Sequence, residues 1–457
     1  MFMRRSVAAV AAATALCAVS APAASAGTSA SGAGSGVQAA KAAKAAKGKK
    51  LPDGLYGKAD PKFDGVWRQS IALLAQDAAG ATPATKAVDW LSGQQCADGS
   101  FTAYRADTGA ACDAKKSPGD TNATAVAVQA LSAVGGRGDT VRKSLAWLRS
   151  VQNKDGGWGY NPGSPTDANS VSVVIGAYAA AGEKPERMHK GGKSPYDALT
   201  GLQLGCDAKK GERGAFAYQP DKKGKLAAND DATAAAALAG HGTGLLAGPH
   251  GAHGKGANGS DHAGDAEGGK SRQARPVEPL DCGKGGAEDE QPRGHEEAAG
   301  AGAAYLASVL RKNSGHLRAV TPGAKGGPDY ANTADAVIAL AAGGHHAEAE
   351  KSLNWLTGKL RSWDKAGNDP AAIGGVMLAV HATGGDPAKL KGADLLGRLN
   401  ATGPKPARMP DSSAGAEGDA GQDGDSSVLT WSLIGAGLAG GAGVGFLLSG
   451  RRKRQGL

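Results

Sequence analysis

Two stretches of the chain align with each other without a gap, and this internal repeat constrains the fold more than any other feature. One begins at Ala87 (AVDWLSGQQCADGSF) and the other at Ser144 (SLAWLRSVQNKDGGW), and they share Trp, Leu, Gln, Asp and Gly at the same places. Repeats of this kind are supersecondary units that bury their apolar faces by stacking on their neighbours. We therefore expect an array of similar units.

Each copy predicts a helix that runs into a tight turn. Trp90 and Trp147 begin the apolar face, and a Gln followed by Asp-Gly marks a point that a helix does not continue through. At a helix end, the Gln amide can bond the free backbone groups of its own unit or of the next one. The aromatic after the glycines, Phe101 or Trp158, is expected to pack over this joint.

A second helix rich in small residues follows each turn. DTNATAVAVQALSAVG starts at Asp120 and DANSVSVVIGAYAAAG starts at Asp167. Both open with an Asp suited to an N-cap and close on a Gly suited to a C-cap. Helices with such small side chains are suited to a crowded interior.

Weaker copies extend the pattern along the chain. Small-residue helices and Trp- or Leu-bearing helices alternate, six of each; the weaker copies begin at Leu199, Asn229, Glu296, Tyr330, Ser352 and Asp369, and helices at about 64–79 and 387–399 complete the set. The prediction is an all-α fold in which six inner and six outer helices curve into a closed ring. The Gln-x3-Gly-x-aromatic element resembles the QW-type repeat of the prenyltransferase and squalene cyclase superfamily, which implies an α/α toroid over residues 54–403, with an insertion at 241–295.

The N-terminal end of the chain predicts export. Residues 1–26 combine Arg4 and Arg5 with an apolar run and an Ala24-Ser25-Ala26 cleavage site, which is typical of a secretory signal peptide. Residues 27–53 form an Ala/Gly/Lys leader that is expected to be disordered. Five of its lysines lie between Lys41 and Lys50, and together with the net charge of +9 they favour a wall polymer or anionic lipid over nucleic acid as a partner.

The C-terminal end predicts a membrane anchor. Residues 404–427 form a flexible stalk rich in Gly, Ser and Asp, and residues 428–448 are uncharged over the length that a bilayer requires. The basic tail at 449–457 is typical of a cytoplasmic stop-transfer flank. We expect a single-pass plasma-membrane protein with an extracellular body.

Four cysteines remain after removal of the signal segment. They allow three pairings, of which we favour the sequential one, Cys96–Cys112 and Cys206–Cys282, since each bond would close a long loop between helices. No cysteine has a second ligand at zinc-site spacing, so no metal site is predicted. His250, His253 and His262 in the insertion are an alternative metal set, but a solvated loop is the favoured interpretation of that segment.

Polar residues at the starts of the inner helices form the candidate binding site. Each alone is explained as a helix cap, but together they recur at matched offsets and are expected to converge on one mouth of the ring. The predicted ligand-binding residues are Asp120, Asn122, Asp167, Asn169, Asp231 and Asn332. A polar rim over a small-residue interior favours a polar small molecule as the ligand, and no cofactor is predicted.

The resemblance also raises an enzymatic alternative. Class II terpene cyclases carry a DxDDTA motif at an inner-helix start, and the matching segments here are DTNATA, DANSVS, NDDATA and YANTAD. Their acid position holds no carboxylate, and the nearest candidate pair is Asp230 and Asp231. The zinc ligands of protein prenyltransferases have no match, and aromatic residues, which cyclases use to stabilise carbocations, make up only 4% of the chain.

The segment at Asp120 is also similar to the inner-helix segments of cobalamin carriers, secreted α/α toroids that bind without catalysis. This similarity implies a binding module that captures a small molecule of corrinoid type at the cell surface and hands it to a membrane uptake system. A cyclase or prenyltransferase-type enzyme is the first alternative, and a protein-interaction scaffold is the second.

Overall fold

The computed structural model of the chain describes residues 51–113, 117–248, 275–283, 294–319 and 326–410. The predicted signal peptide, nearly all of the leader, most of the stalk, the predicted membrane segment and the basic tail lie outside these ranges. Within them, no helix has both the length and the apolar character needed to cross a bilayer.

Helices dominate the described part of the chain, which confirms the all-α prediction. Two 3₁₀ turns and two short antiparallel hairpins, β1–β2 (Leu317–Arg318 and Pro328–Asp329) and β3–β4 (Lys389–Leu390 and Ala393–Asp394), accompany thirteen α-helices in these residues. The α-helices are α1 (Gly65–Ala78), α2 (Thr85–Gly93), α3 (Thr121–Val134), α4 (Gly138–Ser150), α5 (Ala168–Ala180), α6 (Pro195–Thr200), α7 (Asp230–Gly240), α8 (His295–Lys312), α9 (Tyr330–Ala342), α10 (His346–Lys359), α11 (Lys365–Asn368), α12 (Pro370–Ala382) and α13 (Leu395–Asn400).

Burial separates the helices into two sets. In α3 every residue from Thr121 to Leu131 is buried, and α1, α5, α7, α9 and α12 are also buried around most of their circumference. A helix without an exposed face must have neighbours on all sides. In α4, by contrast, only Ser144, Leu145, Trp147 and Leu148 are buried, as expected for a helix that packs one stripe inward.

The contacts among the six fully buried helices form a closed cycle. Taken in chain order, α1, α3, α5, α7, α9 and α12 each contact the next, and α12 contacts α1. Each also packs against one amphipathic helix, in the pairs α1–α2, α3–α4, α5–α6, α7–α8, α9–α10 and α12–α13. We call the six mostly buried helices the inner helices and their six amphipathic neighbours the outer helices.

The repeated Gln joins one pair of helices to the next. Gln95 Nε2 donates to the Thr140 carbonyl at the start of α4 (2.8 Å) and to its own turn at Gly99 (3.3 Å). Gln203 Nε2 repeats this arrangement with Gly214 (3.0 Å) and with Ala298 in α8 (2.8 Å). We call this arrangement of turn and following helix the Gln joint.

The glycine of each joint is required for two independent reasons. Gly99, Gly156 and Gly214 have φ angles of +94°, +87° and +80°, which side-chain-bearing residues rarely adopt. A Cβ at any of them would also overlap the backbone of the next outer helix or the residue that caps it, for example the Ser194 carbonyl in front of Gly156. The Asp-Gly signal in the sequence thus marks a close approach between units as well as a turn.

A fourth joint, which the sequence did not reveal, lies at Gly315. Its φ of +94° matches the other three, and it lies against α10, but a Cβ there would meet Trp355 only at an ordinary contact distance of 3.4 Å. The backbone N–H of Leu317 donates to Thr333 Oγ1 (3.0 Å), as Phe101 does to Thr124 and Phe216 to Thr233 (2.9 Å each). Leucine stands here in the aromatic position, and for this reason the repeat pattern missed the joint.

The first residues of the described chain supply the joint that closes the cycle. Gln69 in α1 donates to the carbonyls of Gly54 and Ala87 (2.9 Å each) and accepts from the N–H of Tyr56 (2.8 Å). The Tyr56 hydroxyl donates to the Pro404 carbonyl (2.6 Å), beyond α13. This closing joint thus ties the last helix pair to the first.

Both predicted disulfides, Cys96–Cys112 and Cys206–Cys282, are present in the structure. One described part of the insertion packs against the body of the fold. The N–H of Leu245 donates to Gln129 Oε1 in α3 (2.9 Å), Ala247 is buried, and Arg275 bonds the backbone at Gly344 beyond α9 (3.2 Å). Most of residues 275–283 are exposed, and His250, His253 and His262 lie outside the described residues.

Candidate functional site

Five inner helices begin at a side-chain cap, as the single-residue interpretation of the sequence predicted: α12 at Asp369, and the four that carry the candidate site. Asp120, Asp167, Asn229 and Asp329 each accept a hydrogen bond from the backbone N–H three residues further on, at 2.7–3.1 Å. These bonds satisfy donors that a helix start leaves free. Two of the predicted ligand-binding residues, Asp120 and Asp167, are therefore caps.

The caps also correct one of the predicted offsets. Asn122, Asn169 and Asp231 all lie two residues after their caps, so they do occupy matched positions. Because α9 is capped by Asp329, Asn332 lies three residues after its cap. Aligning the segment from Tyr330 shifted the register by one residue and hid the role of Asp329.

Asp231 joins two inner helices. Asn169 Nδ2, from α5, donates to Asp231 Oδ2, from α7, at 2.8 Å. Burial is the main reason that the pKa of Asp231 is raised to about 8, and the negative charge of Asp335 raises it further. The hydrogen bond from Asn169 acts in the opposite direction, and the net result is a carboxyl group that is mostly protonated at neutral pH.

Asp335 brings a third inner helix, α9, to the same place. Burial and the neighbouring Asp329 raise its pKa to about 7. Asn332 Nδ2 donates to Asp329 Oδ2 (2.9 Å), while Asn332 Oδ1 is buried with no hydrogen-bond partner among the described residues. The acidic cluster, as we call it from here on, consists of Asp167, Asn169, Asp231, Asp329, Asn332 and Asp335.

The acidic cluster has a basic neighbour, Lys365, whose positive charge lowers the pKa of Asp329, but it has no ion-pair partner in the described ranges. None of the ion pairs in the described ranges involves any of its four carboxyl groups. Burial raises the pKa of Asp167 to about 6, so this carboxyl group also resists ionisation. Within the same ranges, no group of three or more His, Cys, Asp or Glu residues is arranged to hold a metal ion.

Asp230 and Asp231, the candidate catalytic pair, have different hydrogen-bond partners. Asp230 accepts a hydrogen bond from the Tyr305 hydroxyl on the outer helix α8 (2.7 Å), whereas Asp231 is bonded to Asn169 on the inner helix α5. Burial raises the pKa of Asp230, and the phenol partly opposes this shift. The carboxyl group whose charge acts most strongly on Asp231 is Asp335, which is distant in sequence.

Asp120 lies with Tyr160, and Asn122 is buried two residues further along α3. Burial raises the pKa of Asp120, and a hydrogen bond with Tyr160 opposes the shift. Asn122 Oδ1 is buried and has no partner in the described part of the chain. The structure therefore gathers Asn169, Asp231 and Asn332 around the acidic cluster and gives Asp120 a separate phenolic partner.

A separate recess of about 590 Å³ lies at the end of α4 and contains no residue of the acidic cluster. Arg149, Lys184 and Arg187 contribute to its lining, and Arg149 is paired with Glu183 (3.0 Å). Its charge is opposite to that of the predicted site.

The sequence matches no protein-family model and no curated protein. Among solved structures, a protein from Actinoplanes is similar over 73% of this chain and 78% of its own, with 16% sequence identity and a TM-score of 0.40. A similarity at this level assigns neither a family nor an activity.

Proposed function

We propose that this chain is a binding module, an α/α toroid of the prenyltransferase and squalene cyclase repeat type, which takes up a polar small molecule at the acidic cluster without transforming it. The closed cycle of inner-helix contacts and the Gln joints support the toroid. The observation that carries the binding role is the convergence of α5, α7 and α9 on carboxyl groups, Asp231 and Asp335 among them, that form no ion pair within the described residues.

The proposed setting is the outer face of the plasma membrane. Two disulfides support an oxidising compartment, because such bonds persist in exported proteins. The signal-like N-terminus and the uncharged segment at 428–448 support a single-pass anchor with the toroid outside. Delivery of a ligand, for instance one of corrinoid type, to a membrane uptake system fits this location.

Ligand screening of the full chain in detergent tests the binding role. Thermal-shift and calorimetric titrations with corrinoids, haems and polyprenyl compounds should identify a compound that stabilises the wild type. Asp231→Asn should lower the affinity for that compound at least tenfold and should reduce the stabilisation accordingly. Asp139→Asn, at a side chain 83% exposed on α4, is the matched control and should leave it unchanged. Absence of stabilisation by any compound would favour the scaffold role.

Terpenoid cyclisation is the second candidate function. One observation favours it: Asp231 holds its proton at neutral pH, and Asp335 supplies a further carboxyl group beside it. A general acid must be protonated at working pH and must reach the atom that it protonates. Turnover of squalene or prenyl diphosphates by the wild type, lost in Asp231→Asn, would replace the binding proposal with this one.

A further inference from the structure

The acidic cluster is short of hydrogen-bond donors. Asp335 has no hydrogen-bond or ion-pair partner among the described residues, in contrast to Asp230, which has the Tyr305 hydroxyl. Asp231 and Asp335 are each half-buried, so a ligand can reach them. Once they are ionised, carboxylates accept hydrogen bonds and donate none, so a ligand that binds the ionised form of this site must bring donors of its own.

An amide oxygen independently points to the same ligand chemistry. Asn332 is 5% exposed, and its Oδ1 has no hydrogen-bond partner in the described ranges. Its Nδ2 is committed to Asp329, so the side chain is held against the acidic cluster with a free acceptor. A buried acceptor without a partner is unfavourable, and a donor supplied by a ligand would remove this cost.

The distribution of charge excludes an anionic ligand at this place. Asp167, Asp329 and Asp335 all raise the pKa of Asp231 through their negative charges. Bringing in another negative group would add to this repulsion, whereas a positive group would reduce it.

We propose that the acidic cluster binds an organic cation through a primary ammonium group, seated between Asp231 of α7 and Asp335 of α9 with the Asn332 amide oxygen as the third acceptor. The three N–H donors of such a group match these three acceptors. This assignment rests on the proposed binding function and specifies the chemical class of its ligand.

Binding of a cation should expel protons from the acidic cluster. Four side chains face Asp231: the carboxyl groups of Asp167, Asp329 and Asp335, and the amide of Asn169. Among these four, only the Asn169 amide donates a hydrogen bond to Asp231. Because an ammonium group favours ionised carboxylates, its affinity should rise with pH, by up to about tenfold per pH unit between pH 6 and 8 if one proton is released. Above pH 8 the affinity should level off, since the pKa of Asp231 is about 8.

Three probes of similar size and different charge test the assignment: n-butylammonium, n-butanol and butyrate, titrated at millimolar concentrations into the full chain in detergent. Calorimetry in two buffers of different ionisation enthalpy measures the released protons. We expect n-butylammonium alone to bind, with at least a tenfold loss of affinity in Asp335→Asn and no loss in Asp139→Asn. Circular dichroism of each variant verifies that it is folded.

Two groups of results would overturn the assignment. The first is equal binding of n-butanol or butyrate, and the second is n-butylammonium binding that is absent, independent of pH, or unchanged in both Asp335→Asn and Asp231→Asn. If these occur while another compound from the ligand screen stabilises the protein through Asp231, the ammonium assignment fails and the binding function stands. If no compound of any charge binds, both fail.

Discussion

At the scale of single residues, Asp231 links the candidate site to the stability of the fold. Its folded-state pKa of about 8 lies above the value of about 3.9 that an Asp has in an unfolded chain. The folded protein therefore holds a proton between these two pH values that the unfolded chain has released. The contribution to stability is fully present below about pH 4 and is lost as the pH rises through 8.

The first prediction follows from the direction of this pH dependence. The free energy of unfolding of the wild type should decrease between pH 5 and pH 8, and Asp231→Asn should flatten that decrease because Asn cannot ionise. At pH 8 the variant should melt about 2–4 °C higher for each kcal/mol of relieved repulsion. Thermal denaturation at several pH values measures this, with Asp139→Asn as the control. Identical pH profiles of wild type and Asp231→Asn would contradict it.

The second prediction compares two glycines. Gly156 and Gly135 both have positive φ angles, +87° and +71°, but a Cβ at Gly156 would overlap the Ser194 carbonyl, whereas a Cβ at Gly135 has open space. Gly135→Ala should cost about 1–3 kcal/mol from backbone strain alone, because its φ of 71° and ψ of −179° lie in a region that is essentially restricted to glycine. Gly156→Ala should lower the free energy of unfolding by clearly more, because the turn must also move away from the Ser194 carbonyl. Denaturant unfolding of both variants gives the difference, and equal losses would show that the close approach carries no energy.

At the scale of elements, the Gln joint is the unit that determines how helix pairs follow one another. Gln203 is buried, and its amide satisfies two backbone carbonyls that belong to different pairs. Since the chain continues from the turn into an inner helix, one side chain fixes the position of the next outer helix relative to the turn. Thr233, at the start of that inner helix, holds the same turn by accepting a hydrogen bond from the N–H of Phe216.

The third prediction concerns this joint. Gln203→Ala should cost about 1–3 kcal/mol, because the carbonyls of Gly214 and Ala298 lose their donor. Amide hydrogen exchange should increase both in the turn at 203–216 and at the start of α8. Gln219→Ala, which removes only a peripheral bond to Pro165, serves as the control and should leave α8 protected. If the two variants exchange alike, the joint does not couple the helix pairs.

A joint can be predicted from the sequence only where its segment keeps the residues of the repeat. The joints with Gln95, Gln152 and Gln203 were recognisable, whereas Leu317 in the aromatic position concealed the joint at Gly315. The closing joint takes its amide from Gln69, within a helix, where no linear pattern would place it.

The acidic cluster shows the same limit. Residues at helix starts were found by their offsets, but Asp335 lies in the second turn of α9 and was overlooked. Its signal was present in the sequence, as a single charged residue in the apolar segment from Ala334 to Ala342. Which carboxyl group faces Asp231 depends on how α7 and α9 pack, and this cannot be seen from either segment alone.

At the scale of the whole molecule, the cycle of inner helices depends on contacts between the two ends of the described chain. Tyr56 is fully buried and packs against Gly403, and the Thr82 N–H donates to the Arg408 carbonyl at 2.9 Å. Contacts so distant in sequence gain nothing from local chain connectivity. They hold only when the intervening helix pairs are already in place.

The fourth prediction tests the closing joint. Tyr56→Ala should destabilise the fold by about 3–5 kcal/mol, as for other buried aromatics. Hydrogen exchange should increase in α1 and α13 together, although about 320 residues separate them. Phe63→Ala is the matched control, since this ring is 57% exposed and its loss should cost less than about 0.5 kcal/mol. Increased exchange confined to α1 would show that the ends are not coupled.

Because α12 is synthesised long after α1, the nascent chain lacks the contact between these two helices for some time. The flank of α1 that α12 covers stays bare while the ribosome makes the intervening segment of about 300 residues, which takes roughly 15–60 s at 5–20 residues per second. During this interval the apolar flank is open to wrong partners, including the same helix of another copy. Cells that make this protein must therefore prevent the unfinished chain from associating with other copies until the last pair of helices is synthesised.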